Sequence, residues 1–244
     1  MSFFDRKFKR ILLKLSGEAL MGTRDYGIDY EYLFKLVEAI AGLADTGVQL
    51  AIVVGGGNIY RGSRGVEYGV SRVNGDFMGM LATVINAIAI HSALNKLGKE
   101  SRVMSSIRMQ EVCEPYINHH AHKHLNKGRI IILSSGIGIP FLTTDTAAAL
   151  RAVELECELM LKGTHKVDGV YNCDPHKDDE AVFFEKISYS EILEKNLKFM
   201  DASAVTIARD NDLPMAVFSI ENPLNLLDVI CGKCRCSFIS GGKD

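Results

Sequence analysis

The stretch Ala51-Ile-Val-Val-Gly-Gly-Gly-Asn-Ile-Tyr-Arg61 decides how this chain is read. It opens as a β-branched apolar run, the composition of a buried strand. It then breaks into Gly55, Gly56 and Gly57. Residues without a Cβ let the backbone take positive φ and let a ligand come close to the amides. Arg61 follows, a planar fork able to hold two oxygens of a phosphate or carboxylate. Strand, glycine turn and cation, in that order, describe an anion site at the carboxyl edge of a sheet. The same letters also fit a tight turn followed by a solvated arginine.

Working outward, other strand ends carry similar furniture. Upstream, residues 10–15 read as a buried strand that ends in Lys14, Leu15, Ser16 and Gly17. Lys14 can lie along a phosphoryl oxygen or snorkel off the sheet. Residues 18–28, with Gly22 and Gly27, read as a mobile loop. From Asp29 the apolar spacing becomes helical, with Gly47 as the stop, and residues 48–54 form the second strand.

Downstream, residues 72–76 precede a long helix from Phe77 to about Leu97, closed by Gly98. Met78, Leu81, Val84, Ile85, Ile88 and Ala89 are expected on its core side, with Met78 and Met80 as filler. Asp76 suits a helix start. Beside an anion site it would face hydroxyls, such as those of a ribose, rather than a phosphate.

Residues 102–104 and 129–134 read as strands, and the second runs into Gly136-Ile-Gly-Ile-Pro-Phe-Leu-Thr-Thr-Asp145. An alanine-rich helix over 146–153 follows; Asp145 can cap it or orient a lysine. Residues 158–162 form a strand with Lys162 at its end, and 166–175 are rich in turns. Helices at 188–195, 201–211 and 225–230 and strands at 215–219 and 237–239 complete the chain. The alternation predicts an α/β protein, a mostly parallel twisted sheet with helices on both faces in three layers.

Bulk properties narrow the function. The chain has 244 residues, 47% hydrophobic and 24% charged, ordinary for a globular protein. A net charge of -2 leaves no electrostatic footprint for nucleic acid. No apolar run reaches the ~20 residues of a membrane span, and residues 1–10 lack the apolar core of a signal peptide. A cytoplasmic location is expected. Cys231, Cys234 and Cys236 have zinc-like spacing without an evident fourth ligand. His119, His120, His122 and His124 fit a solvated polar helix better than a metal site. No metal site is expected.

The chain lacks G-x-x-x-x-G-K-[ST], G-x-G-x-x-G and G-x-S-x-G. What remains is glycine turns with separate cations, Lys14, Arg61 and Lys162. Phosphoryl transfer asks for such an inventory: two anions brought in line and their charge neutralised. Two unit charges ~4 Å apart repel by about 4 kcal/mol at an effective dielectric of 20.

The sequence resembles the bacterial uridylate kinases (UMP kinases) of the amino acid kinase superfamily, from Lys9 to about Ile239. The matching pieces are residues 10–20, Gly55-Gly-Gly-Asn58 with Arg61-Gly62, Gly75-Asp-Phe-Met-Gly-Met-Leu-Ala-Thr83, Pro140-Phe-Leu-Thr-Thr-Asp145, Lys166-Val-Asp-Gly-Val-Tyr171, Asp174-Pro175 and Met200-Asp201. The lysine and glycine pieces are shared across the superfamily, whereas the Arg61 and Asp76 segments look like uridylate kinase.

The resemblance implies ATP + UMP → ADP + UDP with Mg²⁺, in pyrimidine nucleotide synthesis. It implies one domain over 1–244, with about 1–155 binding UMP and about 156–244 binding ATP. Lys14, Leu15, Ser16, Gly17, Gly57 and Arg61 would contact the ATP phosphates. Thr164, Tyr171 and Asp174 would hold its nucleoside end. Gly56, Asp76 and the loop Ile137, Gly138, Ile139, Pro140, Phe141, Leu142, Thr143 and Thr144 would hold UMP. On physical grounds Asp145 is the lysine-orienting carboxylate and Lys162 a transition-state cation, acting with Lys14 and Arg61. The resemblance further implies a homohexamer, with GTP as activator and UTP as inhibitor.

Two departures stand out: the usual Gly-Thr-Gly-Asn-Pro is Gly136-Ile-Gly-Ile-Pro140 here, and His165 is an extra residue beside Thr164. From the residues alone, a non-catalytic nucleotide binder and a zinc-binding regulator built on the C-terminal cysteines also stand as readings.

Overall fold

A computed structural model describes residues 8–61 and 68–241. Gly62 and the first seven residues of the segment read for a signal peptide lie outside the described residues. The strands are β1 (Arg10–Leu15), β2 (Gln49–Val54), β3 (Ser101–Ser105), β4 (Glu114–Pro115), β5 (Ile130–Ser134), β6 (Leu159–Thr164), β7 (Val170–Tyr171), β8 (Phe183–Phe184), β9 (Lys186–Ser188), β10 (Met215–Ser219) and β11 (Cys236–Ser240). The helices are α1 (Tyr30–Asp45), α2 (Arg72–Lys96), α3 (Asn118–Asn126), α4 (Thr144–Glu154), α5 (Tyr189–Glu194), α6 (Ala202–Asp210) and α7 (Asn225–Ile230).

Nine strands form one sheet in the order β4-β3-β5-β2-β1-β6-β10-β11-β9. Every pair in it is parallel except β10 with β11. β7 and β8 make a separate ribbon. The order reverses at β1, whose neighbours are β2 and β6. Ligands of open parallel sheets gather at such a switch point, outside the carboxyl ends of the strands.

Alternation along the strands sorts side chains between two cores. Ile11, Leu13 and Leu15 of β1 pack with α1, α2 and α7. Leu12 faces the other way, toward α3, α4, α5 and α6. Lys14, two residues after Leu12, therefore shares the α4 face. In β6, Met160 belongs to that same core and sets Lys162 on the same face. The register pairs Lys14 with Lys162 directly across the two strands. Periodicity puts both lysines on one face, and the register of β1 with β6 sets them side by side.

Several expectations need correction. Helix α2 starts at Arg72, capped by Ser71, so Asp76 stands in its second turn and not ahead of it. Its inward face also differs in part: Val84 is buried and Ala89 packs against the core as expected, but the other residues expected on the core side do not. Met78, Leu81, Ile85 and Ile88 are exposed, while Met80, Ala82, Val84, Ala87, Ile90 and Leu94 are buried. Both faces are apolar, so periodicity had no contrast to work on. Small residues mark the true inner face because the helix approaches the glycine turn closely. This helix is long and apolar enough to cross a membrane by length and composition, yet half of that window is buried inside the chain.

The supposed mobile loop begins as a 3-10 helix, Gly17–Met21, with Ala19 and Leu20 buried. Lys162 sits within β6, which continues to Thr164. The two- and three-residue strands β4, β7, β8 and β9 are too short to show a period.

Candidate active site

Asp145 enters the first turn of α4, whose N-cap Thr143 accepts from the amides of Asp145 and Thr146 at 3.1 and 3.3 Å. The cap aims the carboxylate back at the two lysines of the α4 face. Lys162 Nζ donates to Asp145 Oδ2 at 2.5 Å. Lys14 Nζ stands 2.7 Å from Oδ1, an ion pair off the ideal hydrogen-bond direction. The three side chains are only 9%, 7% and 14% exposed for Lys14, Lys162 and Asp145. Lys162 also donates to the carbonyl of Phe199 at 2.7 Å.

Two cations on one carboxylate leave a net positive centre. Burial acts to raise the Asp145 pKa, and the two lysines overcome it, holding the carboxyl down at about 2. Burial and the neighbouring Lys14 lower the Lys162 pKa to about 8, against the pull of Asp145. A cation poised in this way gains most when another anion arrives.

The glycine turn lies beside this centre, at the ends of β1 and β2. None of Gly55, Gly56 and Gly57 has positive φ, contrary to one of the two reasons for expecting them. The other reason, close approach, holds for two of them. A Cβ on Gly55 would stand 2.9 Å from the Gly17 nitrogen, and one on Gly56 would stand 2.7 Å from the Gly79 carbonyl of α2. Gly57 differs: a Cβ there would meet nothing nearer than Glu18 at 3.7 Å. The chain's own packing does not demand its bareness. Arg61 pairs with Glu18 at 2.5 Å and lies along the Gly57 carbonyl at 3.4 Å. Ser16 is joined to β6 through its amide and the Gly163 carbonyl, 3.3 Å apart.

A rim follows on the far side of the glycine turn. Asp76 accepts from Arg72 Nε at 2.9 Å and from the amide of Phe141 at 2.7 Å. That second bond ties α2 to the loop between β5 and α4. In this loop Ile139, Phe141 and Leu142 are exposed, and Phe141 has φ of 72° with its ring under the Arg72 guanidinium. Gly138, at φ of 82°, rests on Ser106 and closes a turn onto the Ser135 carbonyl. Pro140 and Ile137 belong to the same turn region, and Thr144 opens α4.

The expected nucleoside-end residues are less tightly joined. Thr164 spends its hydroxyl on the carbonyls of Val167 and Phe218, the latter 2.9 Å away. Tyr171 donates to Asp168 at 2.6 Å, and Asp174 pairs with Lys177 at 3.2 Å. Among the described residues, no hydrogen bond or ion pair connects these three to the lysine centre. They line the chain that leaves β6 beyond Lys162.

Sequence reasoning missed Asp201 as a working part, although Met200-Asp201 was among the matching pieces. Asp201 caps α6 through the Ala204 amide at 2.9 Å, and accepts from Thr146 at 2.8 Å and from Thr143. It thereby joins the N-termini of α4 and α6. A cavity of about 490 Å³ opens there, lined by Asp145, Phe199, Met200, Asp201 and Val205 among others. The C-terminal cysteines are free thiols: Cys231 caps the end of α7, Cys234 lies in the connection and Cys236 opens β11. Among the described residues, no cluster of three or more His, Cys, Asp or Glu could hold a metal ion.

A mostly parallel α/β sheet with paired lysines, a carboxylate between them and a bare glycine turn at its switch point suits a phosphoryl-transfer enzyme. The chain belongs to the amino acid kinase family, which matches residues 9–219. It is 50% identical to the uridylate kinase of Hyphomonas neptunium over 93% of this chain and 90% of that protein. It is 49% identical to the uridylate kinase of Erythrobacter litoralis over 93% of this chain and 95% of that protein. The crystal structure of UMP kinase from Bacillus anthracis superimposes with a TM-score of 0.92 at 36% identity, covering 98% of each chain.

Proposed function

We propose that this chain transfers the γ-phosphoryl group of ATP to UMP, giving ADP and UDP. An ionised oxygen of the UMP phosphate forms the new bond to the γ-phosphorus, and the bond from that phosphorus to the bridging oxygen of ADP breaks. The attacking oxygen already carries charge, so no general base is required. The chain's task is to gather two anions and answer the charge that spreads over the transferring group. The observation that carries this reading is the buried Lys14–Asp145–Lys162 group in register at the sheet's switch point.

In this reading Lys14 and Lys162 flank the transferring group and Asp145 keeps them parallel. Gly57, Ser16, Gly17 and Arg61 face the ATP phosphates, and the chain beyond β6, with Thr164, Tyr171 and Asp174, takes the nucleoside end. The N-terminal part to about residue 155 holds UMP, through Gly56, Asp76 and the loop 137–144. Asp76 has lone pairs left beyond Arg72 and Phe141 for ribose hydroxyls.

Magnesium enters as the counter-ion of ATP. Both oxygens of Asp145 face lysines, so the centre offers no carboxylate cage, and Mg²⁺ commonly keeps its waters and substrate phosphates as ligands. A homohexamer rests on the family likeness; the outward stripe of Val73, Phe77, Met78, Leu81, Ile85 and Ile88 on α2 is an apolar face of the sort that marks assembly surfaces, and supports association without setting its order. GTP activation, UTP inhibition and a cytoplasmic setting rest on the family likeness.

An ADP-release assay with UMP, CMP and acetylglutamate as acceptors tests the proposal. Turnover with UMP alone is the expected result. Tight UMP binding without ADP release would favour a non-catalytic binder.

A further inference from the structure

Helix α2 carries two polar side chains one turn apart, Thr83 and Asn86, that are 2% and 0% exposed. Buried polar groups in an otherwise apolar face cost stability unless every bond is made. Here each is spent on a nucleotide loop. Asn86 Nδ2 donates to the Gly55 carbonyl at 2.7 Å and to Asn58 Oδ1 at 2.7 Å. Asn58 Nδ2 donates back to Asn86 Oδ1 at 3.0 Å and to the Gly27 carbonyl at 2.9 Å. All four amide hydrogens are satisfied, and the two carbonyl acceptors fix which way both amides point. The glycine turn is held from beneath.

Thr83 does the same for the other loop. Its Oγ1 donates to the Met80 carbonyl at 2.6 Å and accepts from the Ser135 amide at 2.7 Å. Ser135 has φ of 60°, a left-handed conformation that a residue with a Cβ adopts only under constraint. Ser105 donates to its hydroxyl at 2.9 Å. The Ser135 carbonyl in turn receives the Gly138 amide at 2.9 Å, so the shape of the loop propagates from this residue.

We propose that Thr83 and Asn86 are positioning residues that hold the acceptor loop and the glycine turn in their substrate-ready shapes, an inference that rests on the reading of those loops given above. Neither touches the reacting atoms. One helix thereby sets the spacing between the two substrates.

The test compares Thr83→Val, Thr83→Ser and Asn86→Leu by amide hydrogen exchange of the unliganded protein and by steady-state kinetics. Thr83→Val keeps the shape and removes the acceptor. Exchange should quicken at residues 135–138 and not elsewhere, and the KM for UMP should rise about tenfold while that for ATP stays within about twofold. Thr83→Ser should restore both readouts. Ser135→Gly added to Thr83→Val should recover part of the UMP KM, because glycine takes positive φ at no steric cost. Asn86→Leu, which frees a turn that carries both Gly56 and Gly57, should raise the KM for ATP as well as that for UMP.

Unchanged exchange at 135–138 in Thr83→Val, or faster exchange spread evenly over the chain, would overturn the inference. If the wild type turned over no UMP, the proposed function would fall, and the exchange measurement would still decide the positioning role. If Asn86→Leu did not fold, the Thr83 series would carry the decision.

Discussion

Asp145 and Asp76 are both carboxylates near a helix N-terminus, each answered by cations, and their own side chains are 14% and 17% exposed. Their partners differ. Lys14 and Lys162 are 9% and 7% exposed, whereas Arg72 is 59% exposed. Removing Asp145 from the first group would strand two buried cations side by side. The second is a solvated pair worth at most about 1 kcal/mol, which a substrate can loosen or share. In the proposed reading, charge is buried and held in place where phosphoryl groups would meet, and left exchangeable where an acceptor would be admitted and released.

The sharpest way to break that contrast is to neutralise each carboxylate in turn. Asp145→Asn leaves two buried lysines uncompensated, and we expect kcat to fall by about 10²–10³-fold with a loss of about 3–5 kcal/mol in chemical denaturation. Asp76→Asn should leave stability within about 1 kcal/mol and act mainly on the KM for UMP. Equal losses of kcat in the two variants would erase the distinction between a fixed centre and an exchangeable rim.

Next in size is the pH response. The free enzyme's kcat/KM reports the ionisation of essential groups. With the Lys162 pKa at about 8, kcat/KM should decline as pH rises through 8. Lys162→Arg, always charged, should lose that limb at the cost of a lower plateau. Stability runs by a different sign for each member. The Asp145 pKa is depressed to about 2 from 3.8, so its stabilisation is present above 3.8 and lost as pH falls through 2. The Lys162 pKa is depressed from 10.5, so the cost of burying its charge is full below about 8 and relieved as pH climbs toward 10.5. Thermal unfolding across that range should therefore show an opposed trend to activity: more stable, less active.

The glycine turn offers a smaller version of the same comparison. Gly56→Ala drives a Cβ into the Gly79 carbonyl at 2.7 Å and should cost about 1–3 kcal/mol. Gly57→Ala meets only the end of Glu18 at 3.7 Å and should change stability by less than about 0.5 kcal/mol. If Gly57 is bare for the sake of ATP, that variant should still raise the KM for ATP. A normal KM would remove Gly57 from the site.

These contrasts also mark what the letters could and could not convey. The sheet was legible because β1, β2, β5, β6 and β10 are built on short apolar runs, whose burial on both faces needs no partner to be inferred. Lys14, Lys162 and Asp145 were legible because a charge inside such a run, or at the head of a helix, stands out. The register that puts the two lysines opposite each other is a matter of pairing, and no local pattern gives it. The inner face of α2 was misread because Leu81 and Ile85 look more like core than Ala82 and Thr83. Only the close approach of Gly56 explains why the small residues turn inward. Thr83, Asn86 and Asp201 are single polar letters in helical segments, and their partners lie up to 58 residues away along the chain.

The smallest expected effect concerns the two isoleucines that replace polar residues in the loop after β5. Ile139 is 57% exposed, so its side chain supports nothing beneath it. The loop's shape comes instead from Ser135, from Gly138 on Ser106 and from the Phe141 amide on Asp76. If those backbone groups do the binding, Ile139→Asn should shift stability by less than about 0.5 kcal/mol. It should also move the KM for UMP by no more than about twofold, since a surface side chain outside the hydrogen-bonded frame has little energy to add. A fall in KM beyond that would mean that a side-chain donor at 139 can reach the acceptor, and that the rim, unlike the buried centre, still has a contact to gain.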